Sequence, residues 1–252
     1  LLQSTRVYEF GELSPLSLEI INRYAQRVFD LDTEKDYFIK TGTFSSKFDF
    51  RNAKVTKGQE VSELGSYLWY IQHQANQMAS PLNNKVMYGV SSNNEWVVRE
   101  FIDDVEGNPT IYNGLPLHTE YRVFVDFDTE EVIGISPYWH SQIMKENFLD
   151  IGVSAPIQKN HDYINYINHE DTLMQRYEDN KNLVVSEVSR LFAGCRLKGQ
   201  WSIDIMQNGS DFWLIDMARA SESALSECVS KEKLKQAPLP FMFSEGLLEI
   251  GD

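Results

Sequence analysis

Two aspartates sit near the middle of apolar, strand-like stretches: Asp204 in "WSIDIM" and Asp216 in "FWLIDMA". Burying a carboxylate is costly unless a partner or a metal meets it. The turn between the two stretches, "QNGSD", allows two registers. A two-residue turn at Asn208-Gly209 sets Asp204 opposite Trp213. A wider loop centred on Ser210 sets Asp204 opposite Asp216, Ile203 opposite Met217 and Ile205 opposite Ile215. A one-residue slip exchanges the two faces of a strand, and the wider loop separates apolar from polar positions more cleanly. It is the register expected here. Two carboxylates directly opposite one another repel and persist when they share a proton or bind a cation. Hard oxygen donors on a rigid hairpin suit Mg²⁺, which takes one or two carboxylates together with substrate phosphates.

Cations for phosphate oxygens are also present. Lys40 ends a short strand in "YFIKTGTFSSK". Gly42, Ser45 and Ser46 follow, small enough for backbone N–H groups to approach an anion, and Lys47 adds a second charge. The Gly-Lys-Ser/Thr signature of a P-loop is absent. Arg99 in "WVVREFI" and Arg122 in "EYRVFVDF" lie inside apolar strands, where a guanidinium needs an acid or an anion. Together these residues form a magnesium–phosphate constellation.

The elements that must position them are legible from periodicity. "SPLSLEIINRYAQRVFDL" reads as a helix capped by Ser14 or Ser17, with Leu18, Ile21, Tyr24, Ala25 and Val28 on its inward stripe. "GQEVSELGSYLWYIQHQANQMAS" reads as a second, with Val61, Leu64, Leu68, Ile71, Ala75 and Met78 facing in, ended by Pro81. "DNKNLVVSEVSRLFAG" reads as a third, with Val184, Val188, Leu191 and Phe192 inward and Gly194 as its stop. Strands are expected at Val86–Val90, Trp96–Ile102, Glu120–Phe127 and Val132–Tyr138. "DFDTEE" reads as a hairpin loop; it lacks the glycine and closing glutamate of a calcium loop. The order of elements predicts an α+β protein of two lobes with a ligand cleft between them. Its segments are an N-terminal helical segment (1–30), an N-terminal lobe (31–103) and a C-terminal lobe (104–252). The turn-rich "EFIDDVEGNPTIYNGLP" connects the lobes.

Bulk properties exclude several classes. The 252 residues carry a net charge of −14, so no basic footprint for nucleic acid exists overall. No apolar run approaches the roughly 18 residues of a membrane span. Cys195 and Cys228 match no metal or redox spacing, and no secretory signal is legible, so a cytoplasmic protein with reduced thiols is expected. His161 and His169 lack convergent partners for zinc. His118 and His140 read as surface or packing histidines.

The pieces "WVVREFI", "TEYRVFV", "VIGIS", "WSIDI" and "WLIDMA", in this order, resemble the cell division cycle 123 family, a branch of the ATP-grasp superfamily. "YFIKTGTFSSKFDF" and the aspartate hairpin resemble, more distantly, the lysine strand, phosphate-covering loop and metal-binding strands of D-alanine–D-alanine ligases. The resemblance spans roughly Tyr37 to Leu225. It implies an ATP-grasp fold that binds ATP and Mg²⁺ between two α+β lobes. Lys40 would contact phosphates, with Ser45, Ser46 and Lys47 in the covering loop. Arg99 would lie at the nucleotide, beside a hinge of Glu100, Phe101 and Ile102 that receives adenine. Glu120 would meet the ribose and Arg122 the phosphates, with Arg122 and Lys40 serving catalysis. Asp204 and Asp216 would hold Mg²⁺. Two positions after the second acid the family carries Asn; here stands Ala218, and Glu222 matches an acidic position further on. The activity expected first is that of an ATP-dependent ligase or acyl-phosphate-type transferase with an unknown carboxylate or protein acceptor. The alternative is an ATP-binding assembly chaperone that binds a protein partner, as the family does for a translation initiation factor.

Overall fold

The strand that carries Lys40 alternates buried and half-buried positions from Tyr37 to Thr41, the period-2 pattern of a sheet with one face on a core. That core belongs to the first of two units into which the chain divides. The computed structural model describes residues 2–3, 15–79, 93, 95–149, 157–225 and 228–235. The first unit takes in the described residues up to Asp103 and Tyr112–Leu115; the second takes in Asp104–Ile111 and the described residues from Pro116 onward. Both mix helix and sheet, giving an α+β protein. The expected cap Ser14, the helix stop at Pro81 and the strand Val86–Val90 lie outside the described residues.

In the first unit, β1 (Leu2–Gln3), α1 (Pro15–Phe29), β2 (Tyr37–Thr41), β3 (Lys54–Val55), α2 (Gln59–Ser62), α3 (Leu64–Met78) and β4 (Glu95–Glu100) follow in order. The sheet runs β1-β4-β2-β3. Its inner face packs Tyr37, Ile39, Val55 and Trp96 against Leu64, Leu68, Ile71 and Ala75 of α3 and Ala25 of α1. The second expected helix is therefore two, broken at Glu63, whose φ of −101° and ψ of 14° are not helical. The inward stripe of α1 also differs from expectation. Ala25, Ile21 and Phe29 face the core, while Tyr24 and Val28 are exposed. The cause is the approach of α3: a Cβ at Gly65 would lie 2.6 Å from the Ile21 carbonyl carbon. Asn22 accepts the Ser66 amide at 2.8 Å, so the Ile21–Asn22–Ala25 side of α1 is the one turned inward.

The connection carries β5 (Thr110–Ile111) and β6 (Leu115–Pro116). The second unit continues with β7 (Glu120–Asp126), β8 (Glu131–Pro137), α4 (Ser141–Leu149), α5 (Ile157–Ser189), β9 (Gln200–Asn208) and β10 (Asp211–Arg219). Its sheet runs β10-β9-β7-β8, all antiparallel. One face packs Tyr121, Val123, Val125, Ile203 and Ile205 against Tyr177, Val184 and Val188 of α5. The far end of the other face is covered by the chain that follows β10, where Ala220, Leu225 and Val229 meet Phe124 and Ile133. Gly134 admits Val229, since a Cβ there would lie 2.7 Å from a Val229 methyl.

Helix α5 has 33 residues and begins well before the stretch expected to be helical. Its inward positions include Asp162, Tyr166, Leu173 and Tyr177, so its first half carries a polar and aromatic stripe in place of an aliphatic one. Leu191 and Phe192 pack inward from a 3-10 turn, Arg190–Ala193, before Gly194. No described helix is long and apolar enough to cross a membrane.

Candidate functional site

Asp204 and Asp216 are Cα partners across β9 and β10. The route to this register differs from the expected wide loop. Asp211 pairs with Asn208, leaving a two-residue turn of Gly209 and Ser210. Gly209 takes φ +64°, the position at which a II′-type turn places glycine. The strands run regularly to the Leu214–Ile205 pair; a bulge at Ile215 then adds one residue to β10 and brings Asp216 opposite Asp204. Ile205 therefore faces Leu214, not Ile215, and Ile203 faces Met217 as expected.

The pair is one end of a row that crosses the sheet. Arg122 of β7 is the partner of Asp204 on one side and of Ser136 of β8 on the other. The order across four strands is Ser136, Arg122, Asp204, Asp216. Arg122 Nε donates to Asp204 Oδ1 and Nη2 to Oδ2, both at 2.8 Å, a bidentate fork. Nη1 donates to the Ala224 carbonyl at 3.2 Å, and the guanidinium lies 4.7 Å from the Tyr138 ring centre. The Arg122 and Asp204 side chains are 13 % and 8 % exposed, so solvent screens this pair little. Burial acts against the Arg122 charge, but the charge and hydrogen bonds of Asp204 outweigh it, with smaller help from Asp216 and Glu120. The guanidinium pKa is raised. Asp216 is half-buried and accepts the Met217 amide at 2.9 Å. Glu120, buried at the start of β7, pairs in register with Met206.

The segment after β10 is pinned beside this row. Ser202 and Ser223 share a hydrogen bond of 2.6 Å, and Ser223 Oγ donates to the Arg219 carbonyl at 2.9 Å. Leu225 takes φ +66°, a strained conformation for a branched side chain, and is held there by burial against Phe124 and Val229. Ala218 faces Ser202, so no carboxamide stands two positions beyond Asp216; Glu222 is exposed.

A carboxylate offers about four acceptor sites. Arg122 takes two on Asp204, so further acceptor sites of that carboxylate are not used by the guanidinium. Asp204 and Asp216 are the residues that could hold a Mg²⁺ ion, since their donors are two carboxylates and Mg²⁺ takes oxygen ligands.

Lys40 and Arg99 belong to the first unit, on the face of its sheet opposite the core. Lys40 pairs in register with Val97 and Arg99 with Phe38. The Arg99 guanidinium lies 4.6 Å from the Phe38 ring centre. Phe38, Phe50 and Phe101 continue as a row of rings 6.1 and 6.0 Å apart, and Lys54 Nζ lies 4.1 Å from the Phe101 ring. The loop after Lys40 uses its own amides. Gly42 N donates to the Glu95 carbonyl at 3.0 Å, and the amides of Thr43 and Phe44 donate to Thr41 Oγ1. Ser45 is half-buried; Ser46 is in a left-handed conformation with its hydroxyl donating to Gln74 at 2.9 Å. Lys47 Nζ lies 5.8 Å from the Phe48 ring centre. Glu100 is exposed and ion-paired with Lys35 at 2.9 Å; the Phe101 amide donates to the Asp36 carbonyl, and Ile102 is half-buried.

Sequence reasoning missed a second polar cluster, in the second unit. Asp104, Glu106 and His118 bring one ligand atom each within 4.8 Å of one another, the group of this kind among the described residues. His118, expected as a surface or packing residue, is buried. The cluster is internally satisfied. Asp104 accepts the Asn108 amide at 2.6 Å and its carboxamide at 2.8 Å. Arg176 of α5 reaches Glu106 at 3.2 Å and Asn108 at 3.0 Å. Burial holds the His118 pKa down against the opposing pull of Asp104 and Glu106. The signal available in the sequence was the spacing of Asp104, Glu106 and Asn108 around Gly107; the partner on α5 was out of reach of any local pattern. His161 is exposed and His169 half-buried, as is Cys195, while Cys228 is exposed.

No family model matches this sequence, and no curated protein matches it. Among solved structures, the chain is similar to C-terminally truncated Cdc123 from Schizosaccharomyces pombe, with a TM-score of 0.47 and 12 % identity over 92 % of this chain and 81 % of that one. It is likewise similar to Cdc123 from the same organism, with a TM-score of 0.44 and 12 % identity over 93 % of this chain and 81 % of that one.

Proposed function

We propose that the protein has an ATP-grasp fold, binds MgATP, and uses the bound nucleotide to govern its hold on a protein partner, in the manner of the cell division cycle 123 branch. The observation that carries the nucleotide half is the register match of Asp204 with Asp216, reached only through a bulge. Opposed carboxylates repel, and a cation shared between them would add to the compensation that Arg122 already gives Asp204. Asp204 and Asp216 would hold Mg²⁺, which when bound would neutralise phosphate charge. Lys40 and Arg99, on one face of their sheet, offer positive charge to phosphates. Glu120 is proposed for the ribose and the stretch Glu100, Phe101, Ile102 for adenine, as the resemblance implies. Ala218 favours holding the nucleotide over turning it over, because the third metal ligand of the family pattern is absent.

The ligase reading stands second, favoured by the shared face of Lys40 and Arg99, where two cations could stabilise a transferring phosphoryl group. Thermal unfolding with and without MgATP tests the proposal. A rise in Tm that Asp216→Ala abolishes is expected; no rise in the wild type sinks it. Release of ADP that depends on an added acceptor would move the ligase reading to first place.

A further inference from the structure

We propose that Arg122 is an internal counter-ion that occupies Asp204 until phosphate replaces it, so that divalent cation and nucleotide bind cooperatively and the cation alone binds weakly. This inference rests on the nucleotide reading above and adds a regulation to that site.

Two carboxylates face one another at Asp204 and Asp216, and a third acid, Glu120, is buried on the same strand as Arg122. Arg122 places its positive charge on this group, with both 2.8 Å bonds directed at Asp204. A divalent cation shared by Asp204 and Asp216 would be a close neighbour of that guanidinium. The Arg122 and Asp204 side chains are 13 % and 8 % exposed, so the guanidinium charge is weakly screened and would repel a cation placed beside Asp204. The guanidinium is not a fixed wall. Beyond Asp204, its hydrogen bond and ring contact among the described residues are to the Ala224 carbonyl and the face of Tyr138, and the charges of Asp216 and Glu120 also support it. Arginine binds phosphate with the same fork it uses for carboxylate. A nucleotide phosphate at this row would therefore compete with Asp204 for Arg122. It would supply negative charge to Arg122 and free Asp204 oxygens for the cation in one step. Each ligand then removes a cost that the other meets, which is positive coupling and is reciprocal.

An opposite role would leave a different signature. If Arg122 served only to aim Asp204 at the metal, its removal would weaken cation binding. The test is Mn²⁺ affinity, read by paramagnetic resonance without nucleotide, in the wild type, Arg122→Gln and Arg122→Gln/Asp216→Asn. The expected result is that R122Q binds Mn²⁺ at least about tenfold more tightly than the wild type, with the gain lost in the double variant. Unchanged or weaker Mn²⁺ binding by R122Q, in a protein whose wild type is stabilised by MgATP, overturns the inference and leaves the nucleotide site standing. No response to MgATP or Mn²⁺ in either protein overturns the nucleotide reading and this inference with it. Should R122Q fail to fold, the wild type suffices: the Arg122 Nε–H resonance should shift when ATP is added in EDTA. A resonance that stays in place at saturating ATP overturns the proposal.

Discussion

Arg122 and Asp204 illustrate what a buried ion pair contributes at the scale of single residues. Breaking such a pair by removing one partner leaves an uncompensated charge, whereas replacing both with apolar groups is often neutral. Arg122→Ala should lower stability by about 3–5 kcal/mol in urea unfolding. The double change Arg122→Met with Asp204→Leu should recover most of that loss. Asp126 is a second case. It is 2 % exposed and closes the β7–β8 turn by accepting the Asp128 amide, while Lys235 and Gln200 reach its other oxygen. Burial alone would raise its pKa, but these partners outweigh burial and lower it. A lowered carboxylate pKa adds stability that is present above the unfolded value of about 4 and is lost as pH falls through the folded value. Asp126→Asn should therefore cost about 1–3 kcal/mol at neutral pH and flatten the fall in urea midpoint on the acid side. A variant whose acid limb matches the wild type would refute that assignment.

At the scale of elements, the hairpin β9–β10 is set by its turn and its bulge acting together. Gly209 needs positive φ, and a Cβ there would also lie 3.2 Å from a Val105 methyl. Gly209→Ala should cost about 1–2 kcal/mol, read as a shift in urea midpoint with no change in slope. The α1–α3 crossing depends on Gly65 in a different way, through backbone atoms that cannot step aside. Gly65→Ala should destabilise by about 1–3 kcal/mol, with the loss visible as faster amide exchange in α1. The expected register of the hairpin was right at the aspartates and wrong on the way to them. The pattern of apolar and polar residues identifies which faces must match, but a bulge and a longer loop satisfy the same pattern. Helix α5 was under-read for a related reason. Tyr166 and Tyr177 are inward while Asp162 and Asn180 share their side, so the apolar period is diluted over much of the helix before Val184.

At the scale of the whole molecule, binding of MgATP should appear as linkage. At a nucleotide concentration near 100 times Kd, stability should rise by about 2.7 kcal/mol, measured calorimetrically; Asp216→Ala should remove that gain while leaving nucleotide-free unfolding within about 1 kcal/mol of the wild type. The net charge of −14 disfavours anions overall, so under the proposed function any attraction for nucleotide would have to come from local cations such as Lys40, Arg99 or Arg122. Residue types and spacing alone determined the α+β class, the strands bearing Lys40, Arg99, Arg122, Asp204 and Asp216, and the opposition of the two aspartates. These follow from local periodicity and from the cost of burying charge, both of which are written in sequence neighbours. Tertiary structure decided the rest. It chose Asp204 as the partner of Arg122, 82 residues away, over the adjacent acids. It turned α1 by the approach of Gly65, and it closed Asp104, Glu106 and His118 with Arg176 from α5. Each is a contact between segments distant in the chain, where geometry selects among several chemically adequate partners.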